Sequence, residues 1–264
     1  MSGLGSVLSI SKTAIMAQQY GLSVTGNNIA NVNNPNYSLQ TADQATMDSV
    51  RYGGYLFGTG VSTAQIAQNV NSLLENRLTD EISSQSAYQE AEAYMNIIEG
   101  YFDVNSESSV ANILTDFWNS WYDLSDNPLV SSERVLVYEQ GVNLAKRLNE
   151  VSFDIDNMKT DLNQEMDAAI SLINSYSSQI ADLNVQITGL EANQSANDLR
   201  DQRNALMDSM GKLIDIDTFE QPNGAVIVNA ANGSPLVNGV DSYTLSEKGG
   251  QVIWEGSYGA GLDI

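Results

Sequence analysis

No cysteine and no histidine occur in these 264 residues. Thiol nucleophiles, disulfides, zinc-finger spacings and imidazole bases are excluded together, and with them every triad that contains histidine. Basic residues are few: 11 Lys and Arg stand against 33 Asp and Glu, a formal charge of -22. Such a surface repels phosphate backbones and anionic headgroups, so nucleic acid and membrane are excluded as partners. The excess acid reads as a solvated face that keeps an assembling protein soluble, in preference to calcium binding. No apolar run approaches the roughly 20 residues needed to cross a bilayer. The first ten residues also lack the basic n-region and apolar stretch of a cleaved signal peptide. The length suffices for a real core without disulfide or metal.

What is present is helical periodicity. Leu4, Val7, Leu8, Ile15, Leu22 and Ile29 fall on one stripe of a short amphipathic helix. It ends at Asn33, Asn34, Pro35 and Asn36, because proline forces its predecessor out of the helical region and Asn tolerates turns. Residues 37–66 read as an extended, Gly-rich connector of short β-like pieces. Helical spacing returns with Val70, Leu73, Leu74, Leu78 and Ile82 and continues through Tyr88, Ala91, Met95, Ile98 and Phe102, the seam of a long packed helix. Val110, Ile113, Leu114, Phe117, Trp118 and Trp121 form the buried face of a shorter helix, with the aromatics expected as a core anchor between helices.

The longest pattern runs over residues 132–190, where Leu148, Val151, Ile155, Met158, Leu162, Met166, Ala169, Ile173, Tyr176, Ile180, Leu183, Ile187 and Leu190 keep three-four spacing without proline. About 55 residues at 1.5 Å each make a rod of about 80 Å. A polar hinge at 191–197 precedes a helix over 198–214, with Leu199, Leu206, Met210 and Leu213 inward. Beyond 215, short β-branched runs alternate with Asn223-Gly224, Asn232-Gly233 and Asn238-Gly239, which are strong hairpin turns. The expected fold is therefore mainly α: an elongated long-helix bundle or coiled coil, with a small β-rich domain beginning near the C-terminus. Its expected divisions are 1–36, 37–66, 67–214 and 215–264, the last an incomplete β domain ending at Gly259-Ala260-Gly261-Leu262-Asp263-Ile264.

Catalytic, cofactor-binding and metal residues are expected to be none. Asp154 and Asp156 flank Ile155 on the outer side of a seam, and Asp215 and Asp217 alternate with Ile216 as in a half-exposed strand. No stretch supplies calcium-loop ligands in register, and no Gly-Lys-Ser/Thr follows the glycines at 53, 54, 58 and 60.

The stretch containing Asn27, Asn28, Ile29, Ala30, Asn31, Pro35 and Tyr37 resembles the N-terminal motif of flagellar rod, hook and hook-associated proteins. In that family a short helix ends in Asn-Asn-Ile-Ala-Asn and a Thr-Pro-Gly-Tyr turn. Asn34 and Asn36 stand where Thr and Gly are usual. Gly58-Thr59-Gly60-Val61 and the segments 117–128 and 197–206 narrow the resemblance to the hook-associated protein 1 (FlgK) family of hook-filament junction proteins, over about residues 4–245. The resemblance implies a non-enzymatic structural subunit of the bacterial flagellum, extracellular, and exported by the flagellar type III route without a cleaved signal peptide. It also implies partners: other copies of itself, hook protein, a second hook-associated protein and an export chaperone. The subunit-interface residues it implies are Leu4, Val7, Leu8, Ile15, Leu22, Asn27, Asn28, Ile29, Asn31, Pro35 and Tyr37. Family members carry a second terminal helix at the far C-terminus, and nothing after Asp215 reads as one. Two alternatives remain: another axial or flagellin-like filament subunit, or a secreted acidic adhesin or hydrolase with a helical stalk. The hydrolase would hold convergent carboxylates of raised pKa in the region after residue 215.

Overall fold

The computed structural model describes residues 3–191, 194–256 and 261–263. The fold is mainly α, with long helices and a small β-rich region near the C-terminus. Part of the hinge expected at 191–197 and parts of the two chain ends lie outside the described residues. Two compact units interleave along the chain, where the sequence reading divides it consecutively. One comprises the described residues of Met1–Ser83, Ser171–Ser246 and Gln251–Ile264; the other comprises Ser84–Ile170 and Glu247–Gly250.

The first unit opens with α1 (Gly3–Ala30), which contains no proline and terminates in successive turns as Asn34 N–H donates to Asn31 O and Tyr37 N–H to Asn34 O. Its covered side is made mostly of small residues, with Ala17 and Val24 buried and Ile10, Thr13, Ala14 and Gly21 half-buried. These pack on an antiparallel ribbon of β1 (Gln40–Thr46) and β4 (Val61–Gln68), in register from Gln40↔Gln68 to Thr46↔Val61. The ribbon is extended by β2 (Val50–Tyr52) and β3 (Tyr55–Phe57), closed by Gly53 and Gly54, both at positive φ as a tight hairpin loop requires. The segment read as an extended connector is thus a folded ribbon. Close side-chain packing of α1 against it depends on the small residues of the helix.

The same unit holds the start of α2 (Ser72–Gly100), the last third of α4 (Ser131–Glu191), α5 (Asn197–Gly211) and most of the β-rich region. Strands β5 (Ile216–Glu220), β6 (Val226–Ala230), β7 (Pro235–Asn238) and β8 (Asp241–Ser242) form a four-stranded meander. Strands β9 (Thr244–Lys248), β10 (Gln251–Glu255) and β11 (Gly261–Asp263) form a second sheet. The turns between the meander strands fall at the Asn-Gly pairs, with Gly224, Gly233 and Gly239 at positive φ. Ile180, Ile187, Met210, Val228, Leu236 and Val237 are fully buried and make the core.

The second unit holds the rest of α2, α3 (Val110–Asp126) and the first part of α4. Ser109 caps α3 by accepting from Asn112 N–H at 3.2 Å. Val110, Ile113 and Ser120 are buried, with Phe117 and Leu124 half-buried beside them. Gly141 lies against the Phe117 ring, where a Cβ would approach to 3.3 Å.

Here the structure corrects the sequence reading. Trp118 and Trp121 are 54% and 47% exposed, and Leu114 is exposed as well, so of the three aromatics only Phe117 lies on the covered face. The face actually covered is 110, 113, 117, 120 and 124, which shares Val110, Ile113 and Phe117 with the expected one. A second correction concerns the long seams. Leu73, Leu74, Leu78, Tyr88 and Met95 of α2 are exposed, as are Ile155 and Leu162 of α4, and the continuous burial on α4 begins only at Ile170. Three-four spacing specifies which residues share a face; burial also needs a neighbour to cover it. Leu213, expected inward, is likewise exposed.

Candidate functional site

The residues expected to contact other subunits divide between two faces of α1. Leu8, Ile15, Leu22 and Ile29 recur at seven-residue intervals and are 64%, 60%, 73% and 68% exposed. Leu4 and Val7 extend this exposed stripe. A strict seven-residue repeat is the pattern by which one helix meets another over several turns. The opposite side of α1 is the one already occupied by the ribbon, so the chain leaves its large apolar side chains outward and spends small ones on its own packing.

The Asn-rich turn behaves differently. Asn28 Nδ2 donates to Gln40 O at 2.9 Å while Gln40 N–H donates to Asn28 Oδ1 at 3.1 Å, so one side-chain amide satisfies both backbone groups at the edge of β1. The Tyr37 hydroxyl donates to the same Oδ1 at 2.8 Å. Asn31 Nδ2 reaches back to Asn27 O and Oδ1, each at 3.0 Å, closing the last turn of α1. Asn28, Asn31 and Tyr37 are therefore half-buried anchors within the chain, and Asn27 and Pro35 are exposed.

This turn is fastened to α5. Asp201, 7% exposed, accepts from Ser38 N–H at 3.1 Å and from Gln68 Nε2 at 2.9 Å; Asp198 accepts from Gln40 Nε2 at 3.1 Å. Asn197 Nδ2 donates to Ile66 O at 2.8 Å, and its own carbonyl accepts from Gln68 Nε2. Burial pushes the Asp201 carboxyl up, opposed by the bonds it accepts, and the Tyr37 phenol also rises through burial and the neighbouring Asp198 and Asp201.

The asparagine device of Asn28 recurs on α4. Asn174 Nδ2 donates to Leu245 O at 2.9 Å and Oδ1 accepts from Leu245 N–H at 2.7 Å. Asn184, fully buried, does the same with Val226 at 2.9 and 3.0 Å and adds a bond to Gly239 O at 2.6 Å. Arg203 of α5, 1% exposed, completes this network through Nη1 to Asn184 Oδ1 at 3.0 Å and to Gly224 O at 2.6 Å. Desolvation pushes the Arg203 guanidinium down to about 10, so it stays charged at neutral pH. Gly224 is confined to glycine twice over, since φ is +84° and a Cβ would collide with the Glu191 carboxylate. Arg200 bridges Glu191 and Glu220, and its hydrogen bond holds the Glu191 carboxyl below the usual carboxylate range.

A polar groove of about 1320 Å³ is bordered by Tyr20, Ile66, Glu75, Asp208, Arg200 and Phe219. Burial raises the carboxyls of Glu75 and Asp208, with Asp208 adding repulsion at Glu75, while Asp208 accepts from the Thr79 hydroxyl at 3.4 Å. Raised carboxyls thus occur at Glu75, Asp201 and Asp208, all ahead of the region in which the hydrolase alternative places its chemistry. Asp215 and Asp217 are exposed on either side of buried Ile216.

Asn174, Asn184, Asp201 and Arg203 escaped the sequence reading. For Asn184 the clue is positional, because it falls on the helical line of Ile173, Ile180 and Ile187 and puts an amide where only a satisfied polar group can sit. Arg203 offers no comparable clue among the other charged residues of α5.

The family model for the helical domain of the flagellar hook-associated protein FlgK matches residues 95–253. Flagellar hook-associated protein 1 of Bacillus subtilis (strain 168) is 28% identical over 243 residues, covering 89% of this chain and 48% of that protein. The protein of the same name from Escherichia coli (strain K12) is 26% identical over 239 residues, covering 89% and 44%. The chain thus spans about half the length of these relatives. Among solved structures, the flagellar hook junction protein FlgK from Burkholderia pseudomallei superposes with a TM-score of 0.59 at 26% identity, covering 71% of this chain and 34% of that one.

Proposed function

Because the chain belongs to the flagellar hook-associated protein FlgK family, we propose that it is a non-enzymatic structural subunit joining flagellar hook to filament. Subunits assemble by helix packing through α1, in an extracellular flagellum reached by type III export. The observation that carries this reading is the outward stripe of Leu8, Ile15, Leu22 and Ile29 on a helix whose other face is already fastened down. Apolar side chains at such exposure and regular spacing are a surface made to be covered. The partners are other copies of the chain, hook protein and a second hook-associated protein, with an export chaperone before assembly. Of the raised carboxyls, Asp201 and Asp208 are engaged as acceptors by Ser38, Gln68 and Thr79, a structural use of both groups.

Co-sedimentation with isolated flagellar hooks tests the reading. The chain is compared with a variant carrying Leu8→Gln, Ile15→Gln, Leu22→Gln and Ile29→Gln; glutamine keeps helix propensity while removing the apolar stripe. The native chain should pellet with hooks and the variant should stay in the supernatant. Equal pelleting of both would remove α1 from the docking surface, and no pelleting by the native chain would count against the junction role.

A further inference from the structure

We propose that Asn238 is the site of spontaneous deamidation in the folded protein, although the sequence offers three Asn-Gly pairs of equal intrinsic reactivity. The reaction begins when the backbone nitrogen of the following glycine, after losing its proton to solvent base, attacks the asparagine Cγ. The N–Cγ bond forms, Nδ2 takes a proton from solvent water, the Cγ–Nδ2 bond breaks and ammonia leaves, giving a cyclic imide. Water then opens either imide bond and yields aspartate or isoaspartate, with no change of oxidation state. Glycine permits the approach because it has no Cβ.

The fold separates the three candidates. Gly224 N–H is tied to Gln221 O at 2.9 Å and Gly233 N–H to Ala230 O at 2.8 Å, so each attacking nitrogen is a hydrogen-bonded turn donor. The electrophiles are held as well, since Asn223 Oδ1 accepts from Ala225 N–H at 3.2 Å and Asn232 Oδ1 from Ser234 N–H at 2.9 Å. Ionising or rotating these groups first breaks those bonds, which adds to the barrier. Asn238 is exposed, and neither its side chain nor Gly239 N–H bonds to another described residue. It therefore reacts without that added cost.

The product strikes a structural joint. Asn238 pairs with Asp241 across the β7–β8 hairpin, and Gly239 O is an acceptor for the buried Asn184 amide. An isoaspartate inserts an extra backbone atom between these contacts and adds a carboxylate beside Asp241, so the modified chain should unfold at lower temperature.

The test is peptide mapping by mass spectrometry after incubating the purified chain at mildly alkaline pH, in buffer and in parallel in denaturing urea. In urea the three sites should convert at similar rates. In buffer the Asn238 peptide should convert several-fold ahead of those carrying Asn223 and Asn232, and Asn238→Ser should abolish the early product. Conversion of Asn223 or Asn232 as fast as Asn238 in buffer would overturn the proposal, as would a folded chain whose Asn238 stays intact while the unfolded chain converts.

Discussion

The N-terminal helix and the C-terminal sheet of the same compact unit use their large apolar residues in opposite ways. In the sheet and the end of α4, Ile180, Ile187, Val228, Leu236 and Val237 are wholly removed from water. On α1, Leu8, Ile15, Leu22 and Ile29 are all at least 60% exposed, and the helix packs mostly through the smaller Thr13, Ala14, Ala17, Gly21 and Val24. Charge follows the same division. Residues 1–70 contain Lys12, Arg51, Asp43 and Asp48, so the whole formal charge of -22 resides in residues 71–264. Copies that approach through the neutral segment avoid the repulsion that the acidic remainder imposes. One region has completed its core, and the other leaves its large apolar side chains in water.

The comparison breaks most severely at Asn184. Asn184→Ala leaves the Val226 backbone groups and Gly239 O without partners and removes an acceptor from buried Arg203. The expected loss is about 4 kcal/mol in urea unfolding, and a loss below about 1 kcal/mol would show that the amide is dispensable to the core.

A smaller effect is expected from pH. The carboxyls of Glu75, Asp201 and Asp208 are raised, so their contributions are fully present below the unfolded carboxylate pKa of about 4 and are lost as pH rises through the folded values. Glu191 is lowered, so its contribution is present above about 4 and lost only as pH falls through its folded value. Between neutrality and about pH 5, then, three contributions grow and none is lost, and Tm should increase. Asp201→Asn should flatten part of that increase, and an unchanged slope would show that Asp201 does not titrate in this window.

The smallest effect belongs to the stripe itself. The fourfold glutamine variant of α1 should change unfolding free energy by no more than about 0.5 kcal/mol, as exposed positions do. A loss of several kcal/mol would mean that the stripe is covered within the chain, and the contrast between the two regions would fall.

Much of the architecture was legible. The extents of α1, α3 and α4 follow from proline-free three-four spacing, and the meander turns from Asn-Gly pairs whose glycines do take positive φ. The candidate site was legible in part: its motif residues could be read, but their roles could not. Asn28, Asn31 and Tyr37 stood beside Leu22 as one interface set, whereas the fold turns the first three inward onto Gln40 and Asn27 and leaves Leu22 in water. Trp118 shows the same limit in reverse, because large aromatics favour burial and this one is exposed.

The sequence by itself determined which residues share a helical face, where helices stop and which turns need glycine. These properties depend on torsional preferences and spacing within a few residues. Only the tertiary structure decided which face is covered and which buried polar groups meet. Ile187 is covered by Ala196, Leu199 and Leu206 from beyond the end of its own helix, and satisfaction of Asn184 requires the backbone of Val226 and the guanidinium of Arg203 to arrive together. Such pairings depend on distances in space that local periodicity does not encode.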